Sequence, residues 1–149
     1  MRNNIKSTLS KAIALVLVLS LICPCSAMAA SSDEIIPYAS NYLTAYNTYI
    51  CDLGGGQLQI WYEVFCKSVM DEIGVLSIIL YEVNSDGSLT RVKTFLHEDY
   101  DSMLIKNDNY IYSHVSYQGS SSKTYKAYVC IWAGKNGGGD TRYMWALEW

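Results

Sequence analysis

Four clusters of glycine, asparagine, aspartate and serine cut this chain into strand-length pieces, and that punctuation constrains its fold more than any other feature. They are Gly54-Gly55-Gly56, Asn84-Ser85-Asp86-Gly87, Gly119 through Ser122, and Asn136-Gly137-Gly138-Gly139-Asp140. Residues of these types tolerate left-handed backbone or hydrogen-bond their own main chain, as tight turns require. The pieces between them are rich in β-branched and aromatic residues, which suit a pleated surface. All 13 Tyr, 4 Trp and 2 Phe fall beyond residue 30. The pattern predicts an all-β domain with strands at roughly 41–51, 57–66, 73–83, 89–96, 110–117, 124–134 and 141–148. Seven short strands in one domain suggest an antiparallel β-sandwich.

Alternation within the strands assigns faces. In the second, Leu58, Ile60, Tyr62, Val64 and Cys66 are expected inward, against Gln57, Gln59, Trp61, Glu63 and Phe65 outward. In the sixth, Tyr125, Ala127, Val129, Ile131 and Ala133 form the apolar side, with Ala127 and Ala133 small enough to admit an opposing layer. Lys126, Tyr128, Cys130 and Trp132 point the other way. The third strand carries Val75, Leu76, Ile78, Ile79, Leu80 and Tyr81, apolar at both parities, which predicts a strand covered on both sides. In an immunoglobulin-like sandwich the third, sixth and seventh strands are neighbours, so Tyr81, Tyr128 and Trp132 would share an outer face. A large exposed aromatic patch marks an interaction site, whereas scattered aromatics, or a face covered by the segment 33–49, would need no such reading.

The first 29 residues read as a secretory signal peptide. Arg2, Lys6 and Lys11 make a basic n-region, Ala12 to Ile22 an apolar stretch, and Ala27-Met28-Ala29 a small-x-small cleavage site ahead of Ala30. The apolar run falls short of the ~20 residues of a membrane span and ends at Pro24. Cys23 and Cys25 follow Ile22 and Pro24, where a lipid-attachment site would carry a small residue. The expectation is therefore a signal peptide over 1–29, cleavage between Ala29 and Ala30, and one secreted, extracellular domain over 30–149, with no membrane association afterwards. The signal holds three of the 11 basic residues and none of the 14 acidic ones, leaving eight against 14 and a net charge of −6. That balance argues against nucleic acid and anionic membranes, which require a basic footprint.

Gly55-Gly56 before an alternating strand, Met70-Asp71-Glu72-Ile73-Gly74 leading into a strand that ends Tyr81-Glu82, Val92-Lys93-Thr94, Met103, Tyr117-Gln118-Gly119, Tyr125-Lys126-Ala127-Tyr128-Val129 and Ala133-Gly134-Lys135-Asn136 succeed one another along most of the mature chain. In these pieces the chain resembles a family of small secreted proteins from Gram-positive bacteria catalogued only as a domain of unknown function. The resemblance implies a secreted, immunoglobulin-like β-sandwich and no particular substrate. Cysteines at 51, 66 and 130 depart from the family's pattern.

An exported protein meets an environment in which disulfides persist. Cys66 and Cys130 lie 64 residues apart, the spacing of an inter-sheet pair, and Tyr128 precedes Cys130 by two positions as a tyrosine corner does. Face parity opposes the pairing, with Cys66 inward and Cys130 outward, and a bridge needs converging Cβ vectors. The alternatives are a Cys66–Cys130 disulfide, another pair among Cys51, Cys66 and Cys130, or three separate thiols, of which an exposed Cys51 or Cys130 could join two chains or react with a thiol partner.

Chemistry-bearing constellations are weak. His97, Glu98, Asp99 and Asp101, with Asn107 and Asp108 downstream, could offer oxygen ligands to calcium, but their spacing matches no standard loop and suits a solvated connection. The cysteines lack zinc-site spacing. Cys130 with His114 would require two different sheets to meet, and Glu63, Glu82 and Glu148 give no spacing that selects a glycosidase pair. The Asn136–Asp140 stretch lacks the ending of a phosphate loop. No cofactor, metal or catalytic activity is expected. The reading is a secreted, non-catalytic binding or interaction module for a cell-envelope glycan or an extracellular protein. The alternative is a small antibacterial or toxin-like effector, and a hydrolase stands third.

Overall fold

The structure is a computed structural model and describes residues 40–148. The expected signal peptide and its Ala29–Ala30 cleavage point lie outside the described residues. Those residues are all-β: β1 (Leu43–Asp52), β2 (Gln57–Val83), β3 (Leu89–Leu96), β4 (Leu104–Gln118), β5 (Thr124–Lys135), β6 (Gly138–Trp145) and β7 (Leu147–Glu148). They form one curled sheet of order β6-β5-β2-β1-β7, with β3 and β4 pairing β2. The pairings of β2 and β5 are antiparallel, and β1 with β7 is parallel.

The strands expected at 57–66 and 73–83 are a single strand, β2, of 27 residues. The intervening Lys67 to Glu72 holds neither glycine nor proline, and its partners keep it extended: Met70 pairs with Asp108, and Glu72 with both Lys106 and Gly134. At ~3.4 Å per residue a straight strand of this length would run about 90 Å, several times the ~13 Å radius of gyration of a 100-residue domain, so it must bend. Register shifts between Phe65 and Met70 and between Val75 and Ser77 mark where it does. Before the bend β2 is flanked by β1 and β4; beyond it, by β3 and β5. The strand expected at 110–117 begins earlier, at Leu104, because β4 follows β2 around the bend as far as Gly74. The last expected strand is interrupted at Ala146, where the chain passes from β5 to β1.

Curling turns the inward faces of both halves of β2 onto one hydrophobic cluster. Leu58, Ile60, Tyr62, Val64 and Cys66 enter it from the first half, and Tyr125, Ala127, Val129, Ile131 and Ala133 from β5, the sides that alternation selected. Tyr62 is wholly buried, and its hydroxyl donates to the Ser102 carbonyl at 2.9 Å. The double apolar parity of the third expected strand comes in part from a change of register and in part from an outer side that is only half covered. The bulge at Val75–Ser77 shifts parity, so Val75, Ile78 and Leu80 all point inward and are fully buried, while Leu76, Ile79 and Tyr81 stay half-buried. The first described residues are tied to the β5–β6 hairpin: Asp140 accepts from the Ser40 hydroxyl and, at 2.9 Å, from the Tyr42 N–H.

Gly74 sits at the bend with φ +146, and a Cβ there would stand 2.1 Å from the Met103 carbonyl oxygen, which accepts from the Val75 N–H at 2.7 Å. Gly74→Ala must distort that crossing, so it should destabilise the fold by about 3 kcal/mol or more. Gly87→Ala, at φ +81 with open space around it, should cost only about 1 kcal/mol of backbone strain. Urea denaturation midpoints of the two variants check the ordering.

Candidate functional site

Pairing beyond the bend decides which side chains share the outer face. Cys130 lies between Ser77 and Tyr143, Tyr128 between Ile79 and Trp145, and Trp132 between Gly74 and Thr141, while Tyr81 stands opposite Lys126. Tyr128 and Trp132 are thus on one face of β5, with Tyr143 and Trp145 beside them on β6. The Trp145 ring lies 5.7 Å from Tyr81 and 4.9 Å from Tyr128, and Tyr128 stacks on Tyr143 at 6.0 Å. Tyr81 and Tyr128 are therefore joined through Trp145, a residue the sequence reading did not select. Trp132 lies further along the same face, beyond Cys130. Tyr143 is 62% exposed and Trp145 45%, so the strip opens to solvent along β6.

Trp132 has its own setting. Gly134 and Gly139 face each other across β5 and β6, and the indole lies against this pair. A Cβ on Gly134 would fall 2.8 Å from its Cζ2 atom and one on Gly139 2.1 Å from its Cη2 atom. Only glycine at both positions lets the ring lie down. The indole lines a groove of about 440 Å³ whose other walls include Asp71, Glu72, Lys106, Asn107 and Lys135. These walls are braced. Asp71 accepts from the Asn136 N–H at 2.7 Å, Lys135 donates to the Val69 carbonyl at 2.8 Å and the Ser68 hydroxyl at 3.2 Å, and Lys106 approaches Glu72 at 3.8 Å. Asn107 adopts left-handed backbone with φ 56, an uncommon conformation for a residue with a side chain.

The outer face before the bend holds a second aromatic group that the sequence reading missed. Trp61 is flanked by Tyr49 on β1 and His114 on β4, its direct partners, and it stacks on Tyr112 at 4.9 Å and packs against His114 at 4.3 Å. The hydroxyls of Tyr49 and Tyr112 meet at 2.7 Å, a bond between β1 and β4 that crosses over β2. That bond, with some desolvation, pushes the Tyr49 phenol up to about 12. Trp61 Nε1 donates to Gln59, and Tyr110, packed on Phe65, donates to Glu63 at 3.1 Å. The alternation of β2 did put Trp61, Glu63 and Phe65 outward; missing was the register that sets Tyr49, Tyr110, Tyr112 and His114 beside them. The polar tips of this cluster bond largely to one another.

Cys51, Cys66 and Cys130 are free thiols. Cys66 and Cys130 stand apart: Cys66 joins the core from the first half of β2, whereas Cys130 lies on the outer face of β5 with Ser77 and Tyr143. Burial, then the nearby Asp140 charge, pushes the Cys66 thiol up to about 11. Burial also raises the Cys130 thiol, against hydrogen bonds with Tyr143 and Ser77 that lower it. Cys130 and His114 occupy the outer faces of the two opposed halves and form no pair. Glu98, Asp99 and Asp101 are exposed in the connection from β3 to β4, and among the described residues no three His, Cys, Asp or Glu side chains converge as metal ligands. Glu82 bonds Lys123 at 2.6 Å and Glu63 bonds Tyr110, so neither faces the other as a carboxylate pair.

Comparison with family models, with curated proteins and with solved structures gives no match to this chain. The geometry of the two outer faces therefore carries the functional argument.

Thiol chemistry tests the placement of the cysteines. The reactive species is the thiolate, so at neutral pH Cys66, raised from 9.0 to about 11, should expose a roughly hundredfold smaller reactive fraction than an ordinary thiol. Half-exposed Cys51 should be alkylated first, and Cys66 and Cys130 only on unfolding. Mass spectrometry of the non-reduced, denatured protein should count all three as modifiable, whereas a Cys66–Cys130 bridge would remove two.

Proposed function

We propose that this protein is exported and serves as a non-catalytic extracellular binding module, with a cell-envelope glycan as its ligand. The observation that carries this reading is the run of rings Tyr81, Trp145, Tyr128 and Tyr143 along an outer face, with Trp132 beyond them at the floor of a polar groove. Aromatic faces bury large area at low entropic cost and suit ligands that are apolar on one side and hydroxylated at the edge. Export is supported by the tripartite pattern of the first 29 residues, and the acidic balance of the remainder favours a partner other than nucleic acid or an anionic membrane.

On the same footing we place the chain among the small secreted Gram-positive proteins it resembles. The two halves of the curled sheet then act as the two layers of an immunoglobulin-like sandwich. The adjacency of the third, sixth and seventh expected strands supports this reading, whereas one continuous strand running through both halves departs from it. The row of rings favours a binding module over an effector or a hydrolase, because an extended row fits an extended ligand and burial holds the neighbouring Cys130 thiol above its ordinary range, the reverse of an activated nucleophile.

The secreted protein should sediment with Gram-positive cell-wall material. Replacing both Tyr128 and Trp145 with alanine should weaken retention by about tenfold or more, the loss of a central aromatic contact. Tyr112→Ala, on the opposite outer face, should leave retention unchanged. Equal retention of the double variant and the parent protein would refute the strip as the ligand surface.

A further inference from the structure

We infer that the groove floored by Trp132 is a subsite for one uncharged pyranose ring of the ligand, which stacks on the indole while its hydroxyls meet Glu72 and Asn107. This rests on the binding-module reading above and adds the ligand's chemistry and its anchoring residues.

Three independent features point to it. The cross-strand pair Gly134 and Gly139 lets the indole lie flat on backbone, so one ring face is spent on the protein and the other can face the groove. A flat aromatic face carries negative quadrupole charge and attracts the weakly positive C–H groups of a sugar ring, an attraction indifferent to salt. The groove, at about 440 Å³, falls within the ~300–1,000 Å³ range of small-molecule sites and mixes acceptors with donors. Its ionic groups balance, two lysines against two carboxylates: Lys106 approaches Glu72 at 3.8 Å, Lys135 is held by the Val69 carbonyl and Ser68, and Asp71 by the Asn136 N–H. With the charges of these walls balanced, a ligand needs to bring none. Carboxylate and amide groups offer acceptors and a donor to neutral hydroxyls, and the wall side chains already held by the protein lower the entropic cost of binding.

Asn107 supplies the third feature. Its left-handed backbone, φ 56, is a conformation in which glycine would be less strained. Yet an amide stands there on the groove wall, offering a donor and an acceptor from one side chain. Asparagine and glycine both suit that backbone, so what asparagine adds at the groove wall is the amide itself.

The test uses the full secreted protein and soluble oligosaccharides of neutral pyranoses, including N-acetylated ones, with a soluble anionic envelope polymer as the comparison. The neutral oligosaccharides should shift the Trp132 indole N–H resonance saturably, with an affinity that does not change as salt is raised. Trp132→Ala should lower that affinity by about tenfold or more. Asn107→Gly should lower it by a similar factor while leaving the thermal midpoint unchanged or higher, a combination that a purely structural asparagine would not give. Should Trp132→Ala perturb the hairpin, Asn107→Gly, on β4 and outside the glycine pair, still decides the question, and Glu72→Gln, an isosteric change at the partner of Gly134, gives a second reading. Retention on cell wall with no neutral-oligosaccharide response at Trp132 would overturn the subsite and leave the strip reading intact. Binding confined to the anionic polymer and abolished by salt would overturn it as well. Absence of both wall retention and oligosaccharide binding would overturn the subsite and the binding-module reading together.

Discussion

Hydrogen bonding along both edges of one bent strand is the constraint on which the rest of this structure depends. β2 is the common partner of β1, β3, β4 and β5, so its path sets the register of nearly every other element. A backbone buried on both edges must have its N–H and C=O groups paired, and β2 manages this through the bend because β4 crosses with it. Met70, Glu72, Ile73 and Gly74 keep partners on β4, while Glu72 through Val75 take up β5. Gly74 is where the crossing is tightest, since the Met103 carbonyl occupies the space a side chain would need. Bulges close by add the twist that curls the sheet. Without that curl the inward face of each half would remain uncovered, and there would be no shared core.

Curling also makes two outer faces from one sheet, and they have different characters. Before the bend, Trp61 is held among Tyr49, Tyr112 and His114, and the polar tips bond to each other through the Tyr49–Tyr112 and Trp61–Gln59 contacts. Such a cluster satisfies itself and stiffens three strands. Beyond the bend, rings on β2, β5 and β6 form an open row, and the Trp132 indole rests on a glycine pair with a braced polar groove around it. The difference lies in what each ring is packed against. A ring lying on backbone glycines retains a face for a ligand, and Tyr143 and Trp145 stand open on the edge strand β6, whereas Trp61 has aromatic neighbours on both adjoining strands.

Much was legible in the amino-acid order, for local reasons. Turn clusters located the chain reversals, because left-handed and self-bonding residues are needed wherever they occur. The two-residue period of Leu58 to Cys66 and of Tyr125 to Ala133 identified the buried sides, since a strand's faces follow from parity alone. The same parity put Cys66 and Cys130 on opposite faces and so stood against a bridge that spacing had suggested. It also put Tyr128 and Trp132 on one outer face. The reading went astray where parity is interrupted: a bulge brings Val75 onto the inward side with Ile78 and Leu80, while Ile79 and Tyr81 stay on the half-buried outer side, and a bulge changes the count without changing the composition.

The sequence by itself determined that this chain is all-β, which sides of its regular strands are buried, and that its aromatic residues are divided between core and surface. Tertiary structure alone decided that two expected strands are one, that Trp145 links Tyr81 to Tyr128, that Trp61 is enclosed by tyrosines from β1 and β4, and that Trp132 floors a groove with Glu72 and Asn107. The physical reason is the reach of the information. Turn chemistry and alternation are set by residues a few positions apart, whereas the neighbours of an outward ring are set by cross-strand register, which only the pairing of distant segments around the bend of β2 establishes.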